Sequence, residues 1–548
     1  MYFRVTRSGK NQYLQIARSY RDGKSVRQQT LISLGRLDIL RSSGQLDALI
    51  RSGLRLCEKL AVIDAHNAGE TEAATILSIG PDLVFGRLWQ ASGIKAALDI
   101  MLQERRYEFD VERAIYMTVL HRLFISGSDR AAEVWRENYH IPGTEGLELH
   151  HLYRAMAFWG SPLKDAELVL GRPRCVKDEI EEGLFDRRRD LFTEVDLVFF
   201  DTTSIYFEGQ GGRTLGRYGH SKDHRPDLKQ MIVGIALDSR GWPLCCEMWP
   251  GNTTDVKTLP VIVERMKQKF RVRRICIIAD RGMIRKKTMQ ALDKEEPPAL
   301  YILGVRMRRQ KEVSGKVLTK RGAWQEIHGE RKWSKDPAPL KIREVVLQER
   351  RYIVCLNEEE RRKDAHDRQA IIAHLRDKLK QGDKSLVGNK GYRRFLKMEG
   401  KGHFVVDEGR IKNDERFDGV WVLRTNTDYP AEKVALAYKS LWMVEDIIRT
   451  TKSILDTRPI YHKCDETIRG HVFCSFLALL LKAELEKRLT EKGEDWEWRE
   501  VIRGLDNLRE TEVAFRGQRF CFRSQLTGHA YQAIRAAGTA MPPSIRKV

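Results

Sequence analysis

Nine cysteines occur in 548 residues, an odd number, and no two of them form a C-x-x-C pair. Only Cys245 and Cys246 are adjacent, so neither a zinc ribbon nor a disulfide framework is written here. Reduced thiols in a cytoplasmic compartment are expected. Long apolar runs are missing too. The longest, around Phe473 to Leu481, falls far short of a bilayer span, and no signal peptide opens the chain, so no membrane role is expected. Internal repeats and long disordered linkers are absent. Acidic residues are in deficit, 76 against 97 Lys and Arg, for a net charge of +21 and a pI near 9.5. That excess favours a polyanionic partner, nucleic acid before anionic membrane. His150 and His151 lack spaced partners and read as surface or core residues rather than metal ligands.

The length calls for three or four structural units. Residues 1–60 form a basic β-hairpin unit, with nine Lys or Arg against three Asp in the first 50 and a turn signal at Asp22-Gly23. Such a hairpin either lies along DNA or is a solvated element whose charges blunt its edges. Residues 70–190 carry apolar residues at helical spacing and are read as a helical, DNA-binding region. VERAIYMTVLHRLFI, Ser126-Gly127-Ser128 and DRAAEVWREN fit a helix-turn-helix, and plain bundle packing fits them better.

The pattern changes at residue 195. DLVFFDTT is a buried strand closing on Asp201, and RRICIIAD is another closing on Asp280. KQMIVGIALD, WPLCCEMWPG and PALYILGV complete five strands over residues 195–304, interleaved with helical runs: a mixed α/β sheet with flanking helices. Acids at strand ends are where such sheets place chemistry, although either Asp alone reads equally as a cap. Asn252, Thr253 and Asp255 follow the third strand and either buttress the site or, with Thr254, cap the next helix. Residues 305–425 read as an inserted, mainly β unit with one charged helix, standing outside the sheet. The second part of the sheet domain is placed at 426–490 and a helical tail at 491–548.

YKSLWMVEDIIRTTK, Tyr438 to Lys452, contains no Pro or Gly and is expected to be one helix. At about 100° per residue, Tyr438, Glu445, Arg449 and Lys452 share a narrow arc opposite Met443 and Ile447.

Asp201, Asp280 and Glu445, in that order of elements, resemble the DDE transposases of bacterial insertion sequences. The group concerned places its third acid in a Y-x2-R-x3-E-x6-K signature. Tyr438, Glu445 and Lys452 match in type and spacing, while Leu441 stands where the signature has Arg, with Arg449 two turns on as a substitute. DTTSIYFEG, GHSKDHRPDLKQMIVGIALD, PGNTTD and IADRGM resemble that group as well.

The resemblance implies an RNase H-like fold and a metal site of Asp201, Asp280 and Glu445. Two Mg²⁺ ions about 3.5–4 Å apart would sit there, with Mn²⁺ able to substitute. Tyr438, Arg449, Lys452, Arg281 and Lys222 are the expected DNA contacts. Trp324, Trp333 and Trp421 are candidates for stacking on a flipped base. The activity implied is cleavage at transposon ends and strand transfer into target DNA, by a homodimer holding two terminal inverted repeats in the cytoplasm. A catalytically silent DNA-binding relic and a structure-selective nuclease are the alternatives.

Overall fold

In the computed structural model the strand-forming runs assemble into several sheets, of which one dominates. The structure describes residues 1–548 except 23–24, 55, 70–71, 104, 164–167, 170–171, 189–196, 273–274, 284–288, 291, 293–297, 329–338, 382–389, 400–402, 454, 456 and 495. β1 (Tyr2–Ser8), β2 (Asn11–Asp22) and β3 (Ser25–Arg36) form an antiparallel sheet, with Asp22 opposite Ser25 at the expected turn. Three short helices follow, Leu37–Ser42, Gln45–Leu54 and Glu58–Asn67. β4 (Glu72–Ser78) precedes the helices, and β5 (Leu168–Val169) and β6 (Arg172–Pro173) make a minimal ladder.

The five expected strands are β7 (Leu197–Tyr206), β8 (Gln230–Leu237), β9 (Pro243–Pro250), β10 (Cys276–Ala279) and β11 (Leu300–Gly304). β9, β8 and β7 are antiparallel neighbours, and β10 and β11 run parallel to β7 on its other side. β8 is buried along its whole length, which is why its sequence is an unbroken apolar run rather than an alternating one. The expected helix over 281–294 falls largely on residues outside those described; a short 3-10 turn spans Arg281–Met283.

The stretch 305–425 does not stand apart from the sheet. β12 (Gln325–Ile327), β13 (Leu340–Leu347), β14 (Arg350–Asn357) and β17 (Val420–Thr425) extend it beyond β11, giving nine strands in the order β12-β13-β14-β17-β11-β10-β7-β8-β9. The join is antiparallel pairing of β17 with both β11 and β14. Among the described residues, only β15 (Leu396–Glu399) and β16 (His403–Val406) form a separate hairpin there. The expected helical tail also differs. β18 (Arg509–Phe515), β19 (Gln518–Arg523) and β20 (Ile545–Lys547) build a four-stranded sheet with β4, so the two ends of the chain's helical part meet.

Helices cover both faces of the large sheet. The 26-residue helix Asp465–Thr490 packs on the helices Leu149–Gly160 and Val111–Phe124, and the last of these is buried on almost every side. Bundle packing therefore explains the helix-turn-helix spacing. Two glycines set the closest approach: a Cβ on Gly160 would collide with the Glu466 backbone, and one on Gly470 with the Met156 carbonyl. Gly470→Ala is expected to lower stability by about 1–3 kcal/mol, read in a thermal melt, because neither helix backbone can yield.

A second tie is ionic. Lys177, buried on the helix Val176–Arg188, meets Asp178 at 2.7 Å, Glu181 at 3.3 Å and the Cys246 carbonyl at 2.8 Å. Arg265, buried on the helix Asp255–Gln268, reaches Glu181 at 2.5 Å and also pairs with Glu247 of β9.

Candidate active site

Asp201 and Asp280 come level with each other through the parallel register of their strands. Ile278 sits beside Phe199, so two residues further on Asp280 is set beside Asp201. Asp201 does not end its strand, as the sequence pattern suggested. β7 continues to Tyr206 because β8 keeps pairing with it, while β10 stops at Ala279 and leaves the Asp201 edge open on that side. By strand alternation both aspartates share the face of Phe199 and Ile278, which packs under the helical layer.

Burial pushes the Asp201 carboxyl up to about 6; the Lys222 charge and the Thr202 N–H pull it down, and the Asp280 and Asp255 charges add to the rise. The Thr202 N–H donates to Asp201 Oδ1 at 2.7 Å. The loop between β7 and β8 folds back over this end. Lys222 Nζ donates to the Thr202 carbonyl at 2.7 Å and to Thr202 Oγ1 at 2.9 Å, and lies 3.5 Å from Asp255 Oδ2. Thr202 Oγ1 in turn donates to Asp255 Oδ1 at 2.8 Å. Thr202 and Lys222 thus hold Asp255 beside the Asp201 strand, near enough for its charge to act on Asp201, and Thr254, at the cap position, makes no side-chain capping bond. Its place before an amphipathic run gave it the look of a helix cap.

The expected single helix over 438–452 is two helices, Ala431–Lys439 and Trp442–Ser453. The break at Ser440-Leu441 has no Pro or Gly to announce it. Leu441 is 5% exposed and sits in the main core, and the chain tightens around it through bonds from Leu441 N to Tyr438 O and from Val444 N to Leu441 O. Burying Leu441 there wins over straight helix continuation. The signature position for Arg is thus a core position in this chain.

Tyr438 and Glu445 consequently come from different helices. Tyr438 Oη donates to Asp280 Oδ1 at 3.1 Å, and its hydroxyl is held well above its ordinary proton affinity by burial and then by the charge of Asp280, with a smaller contribution from Glu445. Gly304, ending β11, leaves the space this hydroxyl fills. Glu445 itself is exposed, on a helix lying over β7 and β8.

The remaining expected contacts divide. Lys452 Nζ is tied to Asp223 Oδ1 at 2.7 Å, beside Arg458, which also pairs with Asp223. Burial lowers the Lys452 ammonium's proton affinity, and Asp223 partly restores it. Arg449 lies in solvent, paired with Asp446 one turn away rather than with Asp280 or Asp201. Arg281 lines a cleft of about 410 Å³ together with Asp280, Gly282, Arg306, Met307, Arg308 and Arg309. Arg306, which the sequence gave no reason to single out, donates to the carbonyls of Arg281 at 3.1 Å and Gly282 at 3.2 Å. Trp324 is 40% exposed under the Arg343 guanidinium, Trp421 is partly buried, and Trp333 lies outside the described residues. His151 accepts from the Glu148 N–H and caps its helix.

Among the described residues, the ligand atoms that converge within 4.8 Å of one another are those of Asp129, His462 and His471, not of the three acids. That group already holds a cation. Arg122, buried, donates to His471 Nδ1 at 2.9 Å and lies 3.7 Å from Asp129. A dication added there would leave two buried positive charges uncompensated, so the cluster is an internal ion-pair network. Asp280 instead lines the cleft with Arg281, Glu445 is exposed, and Asp201 is largely buried.

The large mixed sheet lies within a DDE enzyme domain. Residues 194–481, more than half of the chain, match the transposase DDE domain, and the chain belongs to that family. Residues 3–66 match the N-terminal domain of IS1634 family transposases, which makes this a DDE transposase of insertion sequences. No curated protein matches. The chain is also similar to a solved piggyBac transposase, in a cryo-EM structure of a synaptic complex with hairpin DNA, at 11% identity and a TM-score of 0.37, over 78% of each chain. No helix among the described residues is long and apolar enough to cross a membrane.

Proposed function

We propose that Asp201, Asp280 and Glu445 are the metal-binding carboxylates of an RNase H-like catalytic centre that cuts DNA at the ends of its own element and joins it to target DNA. The observation that carries this reading is the parallel register of β10 and β7, which, carried two residues past Ile278 and Phe199, brings Asp280 level with Asp201 under the helix that bears Glu445. The donor set is all hard carboxylate oxygen, which suits Mg²⁺ and accepts Mn²⁺. When bound, two such ions supply charge neutralisation at the entering and leaving oxygens of an in-line displacement.

The chain's own residues do the rest. Tyr438 holds Asp280 in orientation through its hydroxyl. Arg281 and the neighbouring Arg306 and Arg309 line the cleft beside Asp280 and bind backbone phosphates there, taking the place of the arginine that Leu441 lacks. Before metal binds, Lys452 is tied to Asp223 and Lys222 to Asp255, and both act on the site through charge. Arg449, with its partner Asp446, meets DNA only at the outer rim. The basic sheet β1–β3 grips the terminal repeat, and a homodimer brings two ends together in the cytoplasm.

Incubating the protein with Mg²⁺ and a duplex carrying the element's terminal repeat tests this: a nick at the repeat end and, from a pre-cut end, a joined product are expected. Nicks without joined product would make the protein a nuclease, and binding without nicks a relic. Removing residues 1–36 is expected to weaken repeat binding and to flatten its salt dependence. The log–log slope should fall by roughly 0.9 for each phosphate that the shortened protein no longer neutralises, measured by titration at several salt concentrations.

At subsaturating metal, nicking should fall as pH drops through about 6, where Asp201 takes up its proton. Tyr438→Phe is expected to reduce the nicking rate about ten- to a hundredfold without weakening repeat binding, as single-turnover kinetics would show.

A further inference from the structure

Lys222 is placed where the candidate metal site needs a cation. Its loop is pinned by the Lys222 N–H donating to Ser204 Oγ at 2.8 Å, and its ammonium is then turned inward rather than toward solvent. It caps the Thr202 carbonyl, one residue past Asp201, and leans on Asp255 Oδ2. Asp255 is not engaged by its own helix; its other oxygen is taken by Thr202 from the facing strand. Its side chain is 28% exposed and that of Lys222 30%, so both are within reach of solvent. The adjacent residue, Asp223, is the one that clamps Lys452 and Arg458 at the far end of the Glu445 helix. One dipeptide therefore connects the Asp201 strand with the helix that carries the third acid.

We propose that Lys222 is a resident counter-ion of the catalytic carboxylates, held in place by Asp255, and that a divalent ion binds by displacing it. This rests on the metal-site reading above. Asp201, Asp255 and Asp280 crowd one strand end, and their mutual repulsion in the ion-free protein is offset by the lysine. A divalent ion takes over that neutralisation, and the released ammonium becomes available to a backbone phosphate at the same edge. Metal and DNA then assist each other's binding, and by linkage the assistance is equal in both directions.

Mn²⁺ binding to the full-length protein without DNA, followed by the electron paramagnetic resonance of the free ion, tests the competition. Removing the competitor in Lys222→Met or Lys222→Gln should tighten Mn²⁺ binding by about three- to tenfold. Lys222→Arg, which keeps the charge, should bind like the parent. The gain in repeat affinity that Mn²⁺ gives the parent should shrink in the Met and Gln variants, with folding checked by melting curves. Unchanged or weaker Mn²⁺ binding in both neutral variants, with parent-like melting, overturns the proposal. If Asp201→Asn abolishes Mn²⁺ binding while the Lys222 variants leave it unaltered, only the counter-ion role falls. If the parent binds no Mn²⁺ at millimolar concentration, the metal site and this proposal fall together.

Discussion

Asp201→Asn is expected to reduce Mg²⁺-dependent nicking of repeat DNA to background while making the ion-free protein more stable at pH 8. The two effects have one cause. The native carboxyl is pushed up to about 6 by burial, whereas the unfolded chain keeps the ordinary carboxylate value. Between those values the native state holds a proton that the unfolded state has lost, so this group's stabilising contribution is present below the ordinary value and is lost as pH rises through about 6. Above that, the buried charge costs on the order of 1–3 kcal/mol, which Asn does not incur. Melting curves at pH 8 should therefore rank Asp201→Asn above the parent without metal. Added Mg²⁺ should raise the parent's melting temperature and leave the variant's alone. Asp280→Asn should abolish nicking equally. Nicking that survives both substitutions would remove these acids from the site.

The largest loss of stability is expected from Arg265→Met. Arg265 is 4% exposed and is the charge partner shared by Glu181, Glu247 and, at 3.3 Å, Asp178. Its removal leaves the buried carboxylates of Glu181, Glu247 and Asp178 without the guanidinium they share, a loss of about 3–5 kcal/mol. Soluble yield and urea midpoint should both collapse. Arg265→Lys should recover only part, since a single ammonium cannot span Glu181 and Glu247 as the guanidinium fork does. A near-parent urea midpoint for Arg265→Met would show that the network contributes specificity rather than stability.

The contrast between Asp201 and Arg265 marks how far the amino-acid sequence can be read. β7 to β11 were legible because each is a short apolar run bounded by turn residues, and the acids at 201 and 280 stood out against those runs. Arg265 was not legible: in VERMKQK it looks like any solvated helix charge, and only Glu247 and Glu181 arriving from elsewhere make it a core residue. Asp255 was ambiguous for a related reason, since a carboxylate after Thr-Thr at a helix start reads as a cap. The break at Ser440-Leu441 carries no local signal and is set by where Leu441 finds its cavity. Pairing of β4 with β18, and of β11 with β17, joins residues far apart in sequence, so each strand was readable while its neighbour was not.

The seamless run from β11 into β17 and β14 bears on any attempt to pare the protein down to a minimal catalytic fragment. Excising residues 305–425 would not trim an appendage; it would uncover the backbone of β11, an apolar strand that normally sits in the interior of the sheet. Such a fragment would present a row of unpaired amides and carbonyls ready to template a neighbouring chain, and self-association is its expected fate.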